Sequence, residues 1–199
     1  MDNNTKTIEY YNTRTSDFFN STVSADVTDL YERFLKCVPS GGRILDFGCG
    51  SGRDTKEFLS KGYMVEAIDG SLELCRMASE YTGIQVKQMD FFDLDAEETY
   101  DGIWACASIL HVERDRLPEL LGILRKALTA NGVLYMSFKY GDFAGMRDER
   151  YFTDMNEELV EQLLKSSRGW KVVDIWKSKD VRSDKKKDWL NILLQKSEQ

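Results

Sequence analysis

One segment near residue 50 restricts the possible fold more than any other. Residues 44–47 form a mainly apolar run, residues 48–52 follow with glycine at every second position, and a helical pattern containing Phe58 and Leu59 comes next. Glycine lets the backbone approach a ligand closely, and the start of a helix offers unpaired N–H groups. The segment therefore predicts a strand, a tight turn and a helix, with a ligand beyond the carboxyl end of the strand.

From residue 43 onward, short apolar runs alternate with helical patterns. This alternation predicts repeated strand–helix units and a mainly parallel sheet, so the expected fold class is α/β. The predicted strands are residues 43–47, 63–68, 84–89, 102–107, 132–138, 170–176 and 189–194. The clearest helical patterns are residues 28–38, a segment from Glu113 that Asn131-Gly132 is expected to stop, and residues 156–165.

The spacing of the glycines argues against a dinucleotide. Read from Gly48, the motif G-x-G-x-x-G requires a glycine where Arg53 stands, and the lysine of a nucleoside-triphosphate P-loop is also missing. Asp69 ends the second predicted strand and is followed by Gly70. Because an acid at that place accepts hydrogen bonds from both ribose hydroxyls, Asp69 is the predicted ribose ligand.

Four segments at predicted strand ends resemble, in order, the motifs of the class I S-adenosylmethionine-dependent methyltransferases. They are residues 44–52, 66–71, 86–91 and 100–111. The resemblance covers essentially the whole chain. It implies S-adenosyl-L-methionine as the cofactor and a doubly wound, Rossmann-like sheet of seven strands, with the last strand antiparallel and helices on both faces. Within the class, the chain looks closest to small bacterial enzymes of the tellurite-resistance type.

The resemblance also implies roles for individual residues. Asp46 would contact the amino-acid end of the cofactor, Asp90 the exocyclic amine of adenine, and Phe91 the face of the adenine ring. The residues expected to bind the cofactor are Asp46, Gly48, Cys49, Gly50, Gly52, Asp69, Gly70, Asp90, Phe91, Ala105, Ser108, Tyr11 and Arg53. Taken singly, each of these features is also explained by a turn glycine or a helix-capping acid.

His111 is the single histidine and follows the fourth predicted strand. A side chain there can take the acceptor's proton, so His111 is the candidate catalytic residue, with a structural or substrate-orienting histidine as the alternative. We expect one domain, in which a helical lid at residues 1–40 precedes an α/β core at residues 41–199. Tyr11 belongs to an aromatic stretch that forms either the lid or a hydrophobic flap on the sheet edge.

Composition limits the partners and the location. A net charge of −7 disfavours nucleic acid, so we expect no such partner. Residues 1–10 are polar, and no run approaches the ~18 apolar residues of a membrane span, which favours a cytoplasmic protein without a membrane partner. The four cysteines lack metal-ligand spacing, so we expect reduced thiols and no metal. A monomer or a homodimer is expected.

The acceptor of the methyl group is less constrained. Lys139, Arg147 and Arg150 alternate with aromatic residues after the fifth predicted strand, which favours a small acceptor that is anionic or polar. The alternative is that these arginines form surface ion pairs with Asp148, Glu149 or Asp154. The basic run at residues 182–187 is expected to be a solvated loop. Two other functions stay open: a non-catalytic S-adenosylmethionine sensor or subunit, and a methyltransferase that acts on tRNA or protein.

Overall fold

The computed structural model describes residues 2–181 and 188–197 of the chain. Within this part lie the helices α1 (Asn3–Thr13), α2 (Thr15–Thr22), α3 (Thr28–Leu35), α4 (Arg53–Ser60), α5 (Leu72–Thr82), α6 (Leu117–Ala127) and α7 (Glu157–Ser166). The strands are β1 (Arg43–Phe47), β2 (Met64–Asp69), β3 (Lys87–Gln88), β4 (Tyr100–Ala105), β5 (Leu128–Lys139), β6 (Ala144–Arg147), β7 (Arg150–Thr153), β8 (Trp170–Lys179) and β9 (Asp188–Lys196). None of the described helices has the length and apolar character to span a membrane. The basic run at 182–187 lies outside the described residues.

Seven strands form one sheet in the order β3-β2-β1-β4-β5-β9-β8. The first five in this order are parallel, whereas β9 is antiparallel to both β5 and β8. The last strand of the chain is therefore antiparallel, as predicted, and lies one place inside the edge strand β8. The chain order reverses between β1 and β4, which opens a crevice at their carboxyl ends. The predicted seven-stranded, doubly wound sheet is confirmed.

Side chains of the central strands point alternately to the two faces of the sheet. In β1, Leu45 packs in the cluster that contains α6 and α7, while Ile44 packs in the cluster that contains α3 and α4. Helices therefore cover both faces, as predicted. Phe34 of α3 is fully buried, with its ring centroid 5.0 Å from that of Trp104. Helix α3, which falls within the segment 1–40 predicted as a lid, therefore packs in the core.

Several boundaries differ from the sequence-based expectation, and three of these differences have a visible cause. Helix α6 ends at Ala127 rather than at Asn131-Gly132, because the N–H of Thr99 donates to the Ala127 carbonyl at 2.8 Å and the chain enters β5 directly. Strand β4 ends at Ala105, since the next residues leave the ladder: the N–H of Ala107 donates to the Ser137 hydroxyl at 2.8 Å. Strand β3 has two residues instead of six because it pairs with β2 alone, over two positions.

A hairpin follows β5, in a segment where the sequence predicts no strand. Strands β6 and β7 pair antiparallel, and Arg147 lies opposite Arg150 across a turn made of Asp148 and Glu149. Both turn residues have positive φ, 49° and 65°. Such two-residue turns favour Asn-Gly or Asp-Gly, so Asp-Glu gives no sequence signal for a hairpin. The hairpin was missed for this reason, and it forms one wall of the site described below.

Candidate active site

Two clefts lie beyond the carboxyl ends of the central strands. The first has a volume of about 410 Å³, within the range of small-molecule sites. Its wall contains the turn after β1, the ends of β2 and β3, the turn after β4, and one face of α1. The residues of this wall that the sequence predicted are Tyr11, Gly48, Gly50, Asp69, Gly70, Asp90, Phe91, Ser108 and His111. The structure thus brings together nine of the predicted site residues around one cavity.

Two glycines of the turn after β1 leave no room for a side chain. Gly48 and Gly50 have φ of 81° and 56°, which is left-handed backbone that other residues adopt at a cost. A Cβ atom on Gly48 would lie 2.5 Å from Cβ of Ser108, and one on Gly50 would lie 3.0 Å from Cε1 of Phe18. The turn therefore presents bare backbone to the first cleft, as the sequence predicted.

Asp69 lies at the end of β2 and fixes the same turn. One carboxylate oxygen accepts the N–H of Gly50 at 2.9 Å, and the other accepts the N–H of Ser71 at 2.9 Å. Each oxygen keeps a second lone pair, so the carboxylate can accept two more hydrogen bonds, as a ribose diol requires. Burial raises the pKa of Asp69 above its ordinary value, and the two backbone donors oppose that rise.

Asp90 and Phe91 form the opposite wall of the first cleft. The Asp90 carboxylate accepts the N–H of Phe92 at 2.9 Å, which starts a short helical turn. Its second oxygen accepts the side-chain amide of Asn4 at 2.7 Å. The Phe91 ring stacks on Phe47, with centroids 4.5 Å apart and an interplanar angle of 25°. This packing holds an aromatic ring at the position where the sequence predicts a contact with adenine.

Five of the predicted cofactor-binding residues, Arg53 among them, do not line the first cleft. Asp46 is only 1 % exposed and accepts the hydroxyl of Thr55 at 2.6 Å, so it ties α4 to β1. Its burial raises the pKa of Asp46 well above the ordinary value. Ala105 is fully buried in β4, and Gly52 precedes α4. Cys49 lies in the wall of the second cleft.

Arg53 also faces the second cleft rather than the first, as part of a buried network. Its guanidinium donates to both oxygens of Asp54, at 2.6 and 3.0 Å. Asp54 further accepts the hydroxyl of Tyr31 at 2.5 Å and the indole N–H of Trp104 at 2.7 Å. Burial opposes ionisation of Asp54, but the Arg53 charge holds its pKa below the ordinary value. Arg53 therefore neutralises a buried acid that joins α3, α4 and β4.

Helix α1 covers the first cleft through polar contacts with several elements. Besides the bond from Asn4 to Asp90, Asn3 donates to Glu113 at 2.7 Å, and Asn12 accepts the Ser71 hydroxyl at 2.7 Å. These asparagines were not predicted as site residues. The available signal was weak: Asn4, Thr7 and Tyr11 lie three and then four residues apart, which places them on one polar face of a helix.

The second cleft has a volume of about 560 Å³ and adjoins the first. The residues that line both clefts are Tyr11, Phe18, Gly48, Gly50, Ala107 and His111. Among the described residues, five cationic side chains also contribute to the wall of the second cleft: Arg53, Lys139, Arg147, Arg150 and Lys179. Part of this wall is the hairpin β6–β7. The hydroxyl of Tyr11 and the ring of His111 therefore lie at the junction of the two cavities.

His111 is held in one tautomer. Its Nδ1 lies 2.6 Å from the carbonyl oxygen of Tyr151, which only accepts, so Nδ1 carries the proton and donates. Nε2 is then the acceptor for the Tyr11 hydroxyl at 2.8 Å. The Tyr11 oxygen also accepts from Nη1 of Arg150 at 3.3 Å. Burial lowers the pKa of His111 to about 4 and raises the pKa of Tyr11, so both side chains are neutral at pH 7.

The donors and acceptors of the first cleft fit an adenosine joined to an amino acid. Asp69 has free acceptor capacity for a diol, and the bare backbone at Gly48 and Gly50 leaves space beside the turn. The hydroxyl of Ser108 is buried and has no hydrogen-bond partner among the described residues. A buried hydroxyl without a partner can form its hydrogen bond with a polar ligand in the cleft.

Comparisons with known proteins agree with this fit. A family model described as "Methyltransferase domain" matches residues 44–132. An uncharacterized methyltransferase of Staphylococcus carnosus is 28% identical over 125 residues, which are 59% of this chain and 60% of that protein. The aligned part thus spans less than two thirds of the relative.

Two solved structures share the fold. Magnesium protoporphyrin IX methyltransferase from Synechocystis, with bound S-adenosylmethionine, superposes with a TM-score of 0.77 at 15% identity, covering 99% of this chain and 98% of that one. A Burkholderia thailandensis 1,6-didemethyltoxoflavin-N1-methyltransferase superposes with a TM-score of 0.72 at 22% identity, covering 96% and 91%.

Residues 44–132 thus match a methyltransferase domain, and the sheet has the fold of solved methyltransferases, one of which has S-adenosylmethionine bound. In both respects the chain is similar to the class that the sequence resemblance implied.

Proposed function

We propose that this protein transfers a methyl group from S-adenosylmethionine to a nucleophilic atom of a small molecule bound in the second cleft. The observation that carries the proposal is the junction of the two clefts at Tyr11 and His111. A methyl donor in one cavity and an acceptor in the other meet there, beneath α1. Holding two reactants in contact and away from water is the main requirement for a displacement of this kind.

The proposal assigns the cofactor to the first cleft. When bound, S-adenosylmethionine supplies an electrophilic methyl group on a sulfonium sulfur. In this assignment, Asp69 accepts hydrogen bonds from the ribose hydroxyls, and Asp90 and Phe91 lie beside the adenine. The turn at Gly48 and Gly50 leaves room for the methionine part. Asp46 lies in the core near this turn, where it accepts the hydroxyl of Thr55 in α4.

The site is better suited to position the acceptor than to remove a proton from it. A general base works best with a pKa near the working pH. The pKa of His111 is about 4 and that of Tyr11 is raised, so neither is matched to pH 7. We therefore assign His111 a positioning role: its Nε2 holds the Tyr11 hydroxyl at the junction of the clefts. Tyr11 then contacts the acceptor.

A small acceptor is favoured because α1 and the hairpin β6–β7 both border the second cleft. The net charge of −7 argues against tRNA. In the Burkholderia thailandensis relative, the bound acceptor is the small molecule 1,6-didemethyltoxoflavin. We keep the cytoplasmic location as part of the proposal, since all four cysteines are free thiols. That the protein is a monomer or a homodimer stays a prediction. Its likeness to enzymes of the tellurite-resistance type also stays a prediction.

The test is to incubate the protein with methyl-labelled S-adenosylmethionine and three separate acceptor pools: a low-molecular-weight bacterial extract, bulk tRNA and total protein. We expect label in the first pool only, and less transfer by the Asp69→Ala variant at the same cofactor concentration. Label confined to tRNA or protein would contradict the proposed acceptor class. Saturable binding of the cofactor without transfer to any pool would instead support the non-catalytic sensor.

A further inference from the structure

The cations around the second cleft differ in whether they have acidic partners. Arg53 pairs with Asp54, Lys139 with Asp180 at 2.6 Å, Arg147 with Asp154 at 2.8 Å, and Lys179 with Asp188 at 2.7 Å. Arg150 forms no ion pair with any described residue. Arg150 is therefore the one cation of this wall without an ion-pair partner among the described residues, and Asp26, Asp29 and Asp148 of the same wall do not pair with it.

Aromatic rings surround the guanidinium of Arg150. Its Cζ lies 4.3 Å from the ring centroid of Tyr10, 5.7 Å from that of Tyr11 and 5.1 Å from that of Phe152. Within the part of the chain that the structure describes, its only hydrogen bond is the one from Nη1 to Tyr11, and the buried Nε has no partner there. Ring faces stabilise a cation, but they satisfy no N–H donor, so most of the five donors stay available.

The neighbouring Arg147 shows what a satisfied arginine looks like in the same hairpin. Its Nη1 and Nη2 donate to the two oxygens of Asp154, at 3.3 and 2.8 Å, and the Asp154 side chain is only 2 % exposed. Arg147 therefore has a structural partner in the residue that directly follows the hairpin. The sequence offered Arg147 and Arg150 equally as anion ligands, and the structure separates them.

We infer that Arg150 binds an oxyanion, a carboxylate or a phosphate, carried by the methyl acceptor. This inference rests on the proposed function, because it assigns the second cleft to the acceptor. A guanidinium with free donors in a partly dry site forms short, charge-assisted hydrogen bonds with such groups. The anion then lies next to Tyr11, at the junction with the cofactor cleft. Arg150 thus selects acceptors that have an acidic group close to the atom that is methylated.

The experiment measures binding of three probes to the complex with S-adenosylhomocysteine: benzoate, inorganic phosphate and, as the neutral analogue, benzamide. Binding is followed by titration in NMR at constant ionic strength. We expect saturable binding of benzoate or phosphate, weaker by about tenfold or more in Arg150→Met, and intermediate in Arg150→Lys. The anion that binds tells a carboxylate site from a phosphate site.

Arg14→Met is the matched control. It removes the same charge from a residue that stacks on Tyr10 at 4.4 Å but lines neither cleft, so anion binding should equal that of the wild type. Thermal unfolding checks that each variant folds, and Arg150→Lys keeps the test valid if Arg150→Met does not. Equal anion binding in wild type and both Arg150 variants, or no anion binding by the wild type, would overturn the inference.

The first step of the titration separates this inference from the proposed function. If S-adenosylhomocysteine fails to bind, the proposed function fails and the inference with it. If it binds and the anions do not, the inference alone is wrong. Preferential binding of benzamide would indicate a neutral acceptor and would also contradict the inference.

Discussion

The two clefts of this protein are built from different ranges of the sequence. The first cleft, which we assign to the cofactor and call the cofactor cleft, takes most of its wall from segments that follow β1, β2, β3 and β4 in one sheet, and much of the rest from α1. The second cleft, which we assign to the acceptor and call the acceptor cleft, takes residues from α1, α4, the hairpin β6–β7 and β9. These elements lie far apart along the chain. Local backbone position therefore specifies the first cleft, whereas the second depends on long-range packing.

This difference changes how a residue's role is determined. In the cofactor cleft, the role follows from the place in the fold: Asp69 ends β2, so its carboxylate meets the turn after β1. In the acceptor cleft, two arginines of one hairpin differ because Asp154 pairs with Arg147 and not with Arg150. The same residue type has two roles, and the partner determines which one applies.

The largest expected effect is at the glycine turn. Gly50→Val should abolish binding of S-adenosylhomocysteine in calorimetry, because the side chain would lie against Phe18 in strained backbone. The control is Gly62→Val, since Gly62 has a similar φ of 84° but open space around its Cβ position. If both variants bind alike, the turn does not form the cofactor site.

A smaller loss is expected at the ribose position. Asp69→Ala should weaken cofactor binding by about 1–3 kcal/mol, because a charged acceptor for two hydroxyls is removed. Asp93→Ala, an exposed acid just beyond β3, is the control and should bind as the wild type does. Calorimetric titration measures both. Wild-type affinity in Asp69→Ala would refute the ribose assignment.

The junction of the clefts should make the fold sensitive to acid. Because burial holds the folded pKa of His111 at about 4, below its ordinary 6.5, the unfolded chain takes up the proton first as the pH falls. The stability contributed by neutral His111 is complete above pH 6.5 and is lost between pH 6.5 and 4. We expect the melting temperature of the wild type to fall more between pH 7 and 5 than that of His111→Gln. Parallel curves would mean that His111 is not held neutral by burial.

The smallest effect is expected in the hairpin that the sequence did not reveal. Glu149 has φ of 65° and pairs with Arg14 in an exposed contact of little energy. Glu149→Gly should relieve the backbone strain of the positive φ. Glu149→Ala removes the same ion pair but keeps that strain. In chemical denaturation, the glycine variant should be more stable than the alanine variant by about 0.5–1 kcal/mol. The opposite order would show that the turn is not strained.

How much the sequence could predict follows the same division. The sheet, Asp69, Asp90 and the glycine turn were accessible because apolar runs and strand ends are local signals. Asp46 was placed at the cofactor by resemblance, yet its acid group turns to Thr55 in the core. The contacts of the α1 asparagines were not accessible, since their partners are distant along the chain. An ion pair with Asp154 was one of the alternatives that the sequence left open, but the sequence could not tell which of the two arginines forms it.

The most direct test of the account is a crystal structure of the protein with S-adenosylhomocysteine. We predict that the ribose hydroxyls contact Asp69, that adenine lies against Phe91, and that the sulfur faces Tyr11 and the second cleft. Density for the ligand in the cleft lined by Arg150, or nowhere in the two clefts, would contradict the central claim that the first cleft holds the methyl donor.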